Sequence, residues 1–355
     1  MSVLHEGATT RRLRATMREV AALAGVSIKT VSRVVNDEPG VSADLIGRVV
    51  AAAVQLDYHP NLAASNLRRA ARQTATLGLL LEDVSNPFSG SIHRAIEDVA
   101  VARGVAVLAT SLDEDPLRER EAARAMIRRR VDGLVIVPTG SDQSYLRTQL
   151  QAGLALVFVD RPPRFLDADT VMTTNRAGAR AAVEHLVDAG HRRIGFLGDL
   201  TGIATAAERY AGYLEALHDV GIRPDERLVR HDLRTAEAAD AAAEELLGLP
   251  AELAPSALFA AQNLITIGTI HALHRHGLQH EVALVGFDDL PLADVLDPGI
   301  TVVAQDPYAI GTAAAELIFA RLDGYHGPSQ HRTIPTRLIV RGSGEIPARA
   351  SLTLT

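Results

Sequence analysis

The 355-residue chain contains no cysteine, which removes disulfides, thiolate nucleophiles and cysteine-ligated metals from consideration. It also lacks any apolar run long enough to cross a bilayer. Its start, MSVLHEGATTRRLRAT, has no apolar core of the kind a signal peptide carries, so the expected location is the cytoplasm, with no membrane partner. No nucleophile elbow, Walker loop, dinucleotide glycine fingerprint or His-Glu metal pair is present, and GDLTGIATA is none of these. An enzyme is therefore not expected, nor is any cofactor. The 13 histidines are scattered, and the closest group, His274, His276 and His280 in HRHGLQH, has no carboxylate at ligand spacing. It reads as solvated surface, so no metal is expected. Lysine is almost absent too, Lys29 being the only one.

What is present is divided unevenly. Residues 1–72 hold ten Lys plus Arg against six Asp plus Glu, a formal +4, which leaves −11 for the remainder. A basic end on an acidic chain fits a nucleic-acid partner, because affinity follows where positive charge sits and which counterions it displaces. Within that end, Met17 to Asn36 reads MREVAALAGVSIKTVSRVVN, the spacing of two short helices joined by a tight turn. Ala21 is small where the helix backbones approach, Gly25 supplies the left-handed turn, and Val31 faces inward with Val20, Leu23, Val26, Val34 and Val35. Thr16 with Glu19 forms a capping box, and Ser27 is an N-cap for the second helix. A third helix is predicted over Ser42 to Leu56. Ile28, Lys29 and Arg33 then project from the side of the second helix opposite Val31 and Val34.

After the third helix come Tyr58-His59-Pro60-Asn61, then Ala63, Ala64 and Leu67. With these residues the chain resembles the lactose-repressor (LacI/GalR) family of bacterial transcription regulators, from about Thr16 to about Gly342. The resemblance implies that Ile28, Lys29 and Arg33 enter the major groove of double-stranded operator DNA, with Ser27, Thr30 and Ser32 as phosphate contacts. A Lys or Arg donating to guanine O6 and N7 favours a G-rich half-site. It also implies a hinge helix from Asn61, carrying Ala64, that forms on DNA and wedges Leu67 into the minor groove. Leu45, Ile46, Leu62 and Ser65 depart from the Arg, Gln or Thr common there.

Beyond Arg72, TLGLLLE, GVAVLAT, DGLVIVP and LALVFVD alternate with helix-length segments, and TVMT, RRIGFLG, LVRHD, PSALFAA and VALVGFD form a second set. This pattern predicts two doubly wound parallel sheets with a cleft between them, the architecture of periplasmic sugar-binding proteins. The expected division is an arm over 1–15, a helix-turn-helix domain over 16–60, a hinge over 61–72, an effector and dimerisation domain over 73–345 and a tail over 346–355. Within the large domain one subdomain takes about 73–162 plus 304–330, and the other about 163–303 plus 331–345.

Ligands of open sheets bind beyond the carboxyl ends of the strands. By resemblance, the effector residues there are Phe88, Asp160, Arg161, Thr205, Arg209, Leu233, Gln262 and Asp288. Carboxylates, an arginine and one aromatic suit a sugar or sugar derivative. Ser89, Gln262-Asn263 and Thr174 depart from the family's usual residues, so no single member's ligand can be copied. The expected function is an effector-controlled transcriptional repressor acting as a homodimer on a pseudo-palindromic operator; the alternative is a regulator answering to a nucleobase or a protein corepressor. An enzyme and a transport-linked binding protein are the competing classes, and the N-terminal helices argue against the latter. The tail after Val340 has no apolar heptads, which predicts no tetramerising coiled coil.

Overall fold

The computed structural model describes residues 15–36, 38–58, 74–140 and 142–348. The chain divides into two units, Met1–Thr74 and Ala75–Thr355. No helix among the described residues is long and apolar enough to cross a membrane.

The first unit holds α1 (Met17–Ala24), α2 (Ile28–Val35) and α3 (Ala43–Gln55). Its caps are those the sequence predicts. Thr16 N–H donates to Glu19 Oε2 at 2.7 Å, and Ser27 Oγ accepts from Thr30 N–H at 3.1 Å. Gly25 ends α1 with φ 63°, a left-handed backbone that a residue without Cβ adopts at no steric cost. The core is Val20, Ala21, Ala24, Val31, Val49 and Ala52, all buried, with Val26, Val34 and Val35 at its margin. Burying each valine fully contributes about 1.5 to 3 kcal/mol. Leu23 is a correction: it is 46% exposed, because α3 fills the core from the other side with Val49 and Ala52.

The second unit has two lobes. The first is built on a parallel sheet of β1 (Thr76–Leu81), β2 (Ala106–Ser111), β3 (Gly133–Ile136), β4 (Ala155–Val159), β5 (Asp169–Thr173) and β11 (His331–Ile334), in the order β11-β5-β4-β3-β1-β2. The second contains β6 (Ile194–Leu197), β7 (Val229–Arg230), β8 (Ala257–Ala260), β9 (Ala283–Phe287), β10 (Thr301–Ala304) and β12 (Arg337–Ile339), in the order β12-β10-β9-β8-β6-β7, where only β12 is antiparallel. Helices α4 (Pro87–Ala102), α5 (Pro116–Arg128), α6 (Arg147–Gln151) and α11 (Pro307–Leu322) accompany the first sheet; α7 (Asn175–Asp188), α8 (Ala204–Asp219), α9 (Ala236–Leu247) and α10 (Asn263–Arg275) accompany the second.

The subdomain boundaries differ from those expected. TVMT does not open the second sheet. As β5 it pairs with β4, Val157 opposite Asp169, and so completes the first. Residues 331–334 likewise join the first lobe, His331 lying opposite Thr170. The chain crosses between lobes after Thr173, after Ala304 and between Ile334 and Arg337. These crossings are fastened to one another: Thr173 Oγ1 donates to Gln305 Oε1 at 2.6 Å, and Thr336 N–H donates to Thr174 Oγ1 at 2.8 Å.

Helices α9 and α10 pack closely because Gly268 faces the α9 backbone, where an added Cβ would collide with Ala236 O. Gly268→Ala should therefore lower stability by about 1 to 3 kcal/mol, since backbone cannot yield as a flexible side chain can. Thermal unfolding of the purified chain checks this, and an unchanged melting temperature would contradict it.

Candidate functional site

On the first unit, α2 presents Ser27, Ile28 and Lys29 to solvent, Ile28 being 46% exposed. No ion pair involving Lys29 is seen among the described residues. Arg33 is less free: one guanidinium nitrogen donates to Pro39 O, and Nε lies 3.7 Å from Glu38. The hydroxyls of Ser27 and Thr30 are 2.9 Å apart, and Ser32 Oγ accepts from Asn36 Nδ2 at 3.3 Å. Asn61, Ala64 and Leu67 lie outside the described residues.

In the second unit the cleft is framed by two matching corners. Asp160 ends β4 with φ 67° and donates its N–H to Val171 O at 2.9 Å; Asp288 ends β9 with φ 70° and donates to Val303 O at 2.9 Å. Left-handed backbone is uncommon outside glycine, though Asp tolerates it better than most, and such outliers gather at ligand sites. Both aspartates are buried, and Asp160 Oδ1 has no hydrogen-bond partner among the described residues. Burial pushes the Asp288 carboxyl pKa up, and the Arg209 guanidinium opposes this.

Arg209, on α8, is itself buried, its guanidinium 3.8 Å from the centre of the Phe287 ring. Its Nε donates to Asn175 Oδ1 at 2.8 Å and its Nη1 to Ala261 O at 2.9 Å. From there the hydrogen bonds continue. Asn175 Nδ2 donates to Thr173 Oγ1 at 3.0 Å, Thr173 to Gln305, and Gln305 Nε2 to Asp288 Oδ1 at 2.7 Å. The chain of bonds thus joins Arg209 and Asp288 through two of the three crossings. Thr205 is buried in the first turn of the same helix as Arg209.

Phe88 and Asp288 line a cavity of about 330 Å³ between the lobes, together with Asn263, Leu264 and Gln305. A groove of about 820 Å³ adjoins it, sharing Pro87, Ser91, Gln305 and Pro307 and lined also by Arg94, Tyr308 and Arg337. The lobes also touch directly. Asn263 Nδ2 donates to Asn86 Oδ1 at 2.7 Å, and Arg234 Nη2 donates to Asp113 O at 2.9 Å.

Three expected effector residues are placed differently. Gln262 caps α10, its Oε1 accepting from Leu264 N–H at 2.8 Å and Ile265 N–H at 3.2 Å, so Asn263 rather than Gln262 reaches across the cleft. Leu233 packs into the core of the second lobe with Leu197 and Leu228, where its apolar side chain leaves water. Arg161 is held by a buried bidentate pair with Glu114, 2.7 Å for each bond, while its Nε, 3.5 Å from Asp160, has no hydrogen-bond partner among the described residues. The polar residues at the lobe junction and the crossings that sequence reasoning missed are Asn86, Asn175, Gln305 and Glu114. Each is a polar group whose partner lies far away in the chain.

Residues 16–61 match bacterial regulatory proteins of the lacI family, and residues 183–344 match a periplasmic binding protein-like domain. The HTH-type transcriptional regulator GalR of Escherichia coli is 32% identical over 337 residues, covering 94% of this chain and 97% of its own. The ribose operon repressor of Halalkalibacterium halodurans is 31% identical over 330 residues, covering 92% and 96%. Among solved structures, the lac repressor dimer bound to operator and the anti-inducer ONPF superimposes with a TM-score of 0.80 at 25% identity, over 94% of this chain and 99% of that one. The regulator CelR in complex with cellobiose gives 0.67 at 29% identity, over 93% and 100%. With a capped helix-turn-helix head, a two-lobed core and full-length similarity of this kind, the chain belongs to the lacI family of bacterial regulatory proteins.

Proposed function

We propose that this DNA-binding transcriptional regulator is a repressor whose operator affinity is set by a sugar or sugar derivative held in the cleft, and that it acts by binding rather than by catalysis. One observation carries the effector assignment: Asp160 from the first lobe and Asp288 from the second stand on matching strained corners, and Asp160 keeps a buried carboxylate oxygen without a partner. Such an oxygen costs free energy unless a donor meets it, and a sugar hydroxyl is a donor that also accepts from Arg209. Phe88 offers an apolar ring face at the cavity wall, and Asn263 and Gln305 add polar groups to the lining. Arg161 holds Glu114 and lies 3.5 Å from Asp160, so its part is to position that carboxylate. The relative named a ribose operon repressor and the CelR structure in complex with cellobiose support the same class.

On the DNA side, Ile28 and Lys29 read base edges while Ser27, Thr30 and Ser32 meet phosphates; Arg33, tied to Pro39 O, orders the following loop as well. The minor-groove role of Asn61, Ala64 and Leu67 rests on the resemblance of the hinge segment. The operator is pseudo-palindromic because the chain works as a homodimer. Supporting this, β2 is an edge strand of the first sheet among the described residues, and Leu108 on it, Val101 on α4 and Leu117 on α5 expose 39%, 66% and 71% of their surface. An unprotected edge with apolar side chains around it calls for a partner.

A thermal-shift screen of the purified chain against monosaccharides, disaccharides, sugar phosphates and nucleosides tests the effector class. A sugar should raise the melting temperature, since a ligand stabilises the state it binds. A shift given only by nucleosides would overturn the carbohydrate assignment.

A further inference from the structure

The cavity of about 330 Å³ between the lobes carries charge of one sign only. Its ionisable wall residues are Asp288 and Asp289, and no Arg, Lys or His stands among them. Asp289 is matched from outside these walls by Arg341, whose Nη1 and Nη2 donate to its two carboxylate oxygens at 2.8 and 2.9 Å. Asp288 has no such partner: it is buried, accepts from Gln305 Nε2 at 2.7 Å and forms no ion pair among the described residues. Phe88, Leu264, Ile267 and Leu290 make much of the remaining wall apolar. The two buried arginines of the cleft are already committed. Arg161 is bound to Glu114 through both Nη atoms, and Arg209 gives Nε and Nη1 to the neutral acceptors Asn175 Oδ1 and Ala261 O.

The backbone does not supply the missing positive charge either. Helices α4, α10 and α11 all start at these walls, and free N–H groups at a helix start would hold an anion. Pro87 and Pro307, the first residues of α4 and α11, carry no N–H. Of the N–H groups that follow, those of Phe88, Leu264 and Ala309 are taken by the side chains of Asn86, Gln262 and Asp306, at 3.0, 2.8 and 2.8 Å.

We propose that the cleft admits an uncharged effector and rejects one that carries a phosphate or a carboxylate. Charge selection of this kind narrows the proposed effector site to one ligand class and rests on that reading. An anion in this cavity exchanges water for apolar walls and an unpaired carboxylate, and both raise its free energy. A hydroxyl loses little, because Asp288, Asn263 and Gln305 offer it acceptors and donors. Burial pushes the Asp288 carboxyl pKa up, so the cavity disfavours negative charge even on its own side chain.

Pairs of compounds that differ in charge test this: glucose with glucuronic acid, galactose with galacturonic acid, and ribose with ribose phosphate. Each is titrated calorimetrically into the full chain at about pH 7.5, where the acids and the phosphate are ionised. For a sugar that binds, the anionic member of its pair should be weaker by about a hundred-fold or more. The uronic acids are close in size to their parent sugars, so their exclusion reports charge rather than bulk. Two variants read the same ratio. Ser91→Lys places a cation on α4 at the cavity wall, and Asp288→Asn removes the carboxylate at nearly constant shape; at least one of them should narrow the ratio by about ten-fold. An anionic member that binds the native chain as tightly as its parent overturns the proposal, and so does a ratio that both variants leave unchanged. Binding of uncharged nucleosides alone would end the carbohydrate reading and leave the charge selection standing, whereas binding of the sugar phosphate alone would do the reverse.

Discussion

Replacing Arg209 by alanine should abolish the response to effector while leaving the sugar-free chain bound to its operator. Arg209 Nε and Nη1 fix Asn175 and the Ala261 carbonyl, and its guanidinium lies over Phe287. Through Asn175, Thr173 and Gln305 it is connected to Asp288, whose carboxyl burial already pushes up in pKa. Losing the guanidinium removes a charge-assisted donor to the ligand and leaves a buried carboxylate less compensated. The loss in effector affinity should be about 2 to 4 kcal/mol, and the melting temperature of the sugar-free chain should fall as well. Calorimetric titration of the sugar, with anisotropy of labelled operator measured alongside, checks both halves. Wild-type sugar affinity in Arg209→Ala would remove Arg209 from the site.

The second large effect is expected at Lys29. It is the chain's only lysine, it is exposed on the outer face of α2, and its neighbour Ile28 is 46% exposed beside it. Lys29→Ala should cost about 1 to 3 kcal/mol per half-site and flatten the preference at one base pair. Arg33→Ala should act differently. With Pro39 O and Glu38 as partners, Arg33 shapes the loop before α3, so its loss should weaken all sequences and lower head stability. Binding of each variant to a randomised operator library, read at fixed salt, separates the two. Equal weakening of Lys29→Ala on operator and random DNA would mark Lys29 as a phosphate contact only.

How far the sequence alone reaches depends on the range of each interaction. The head was legible because its signals are local: Thr16 with Glu19, Ser27 with Thr30 and the left-handed Gly25 all act within one turn of helix. Leu23 was misplaced because helical periodicity shows that a residue shares an apolar face but not how far that face is covered. TVMT was given to the wrong sheet for a related reason. A five-residue strand has the same alternation in either lobe, and only its pairing with β4 and β11 decides. In the cleft, Asp160 and Asp288 were legible as strand-end carboxylates, yet Gln262 and Asn263 could not be told apart until one was seen to cap α10 and the other to face Asn86.

The account's central claim is that cleft and operator share a free energy. Operator affinity should be measured at fixed salt with and without the sugar that raises the melting temperature, and sugar affinity with and without operator. The two factors should be equal, each corresponding to about 1 to 3 kcal/mol of coupling, with the sugar weakening operator binding. A sugar that saturates the cleft and leaves operator affinity unchanged would contradict the account.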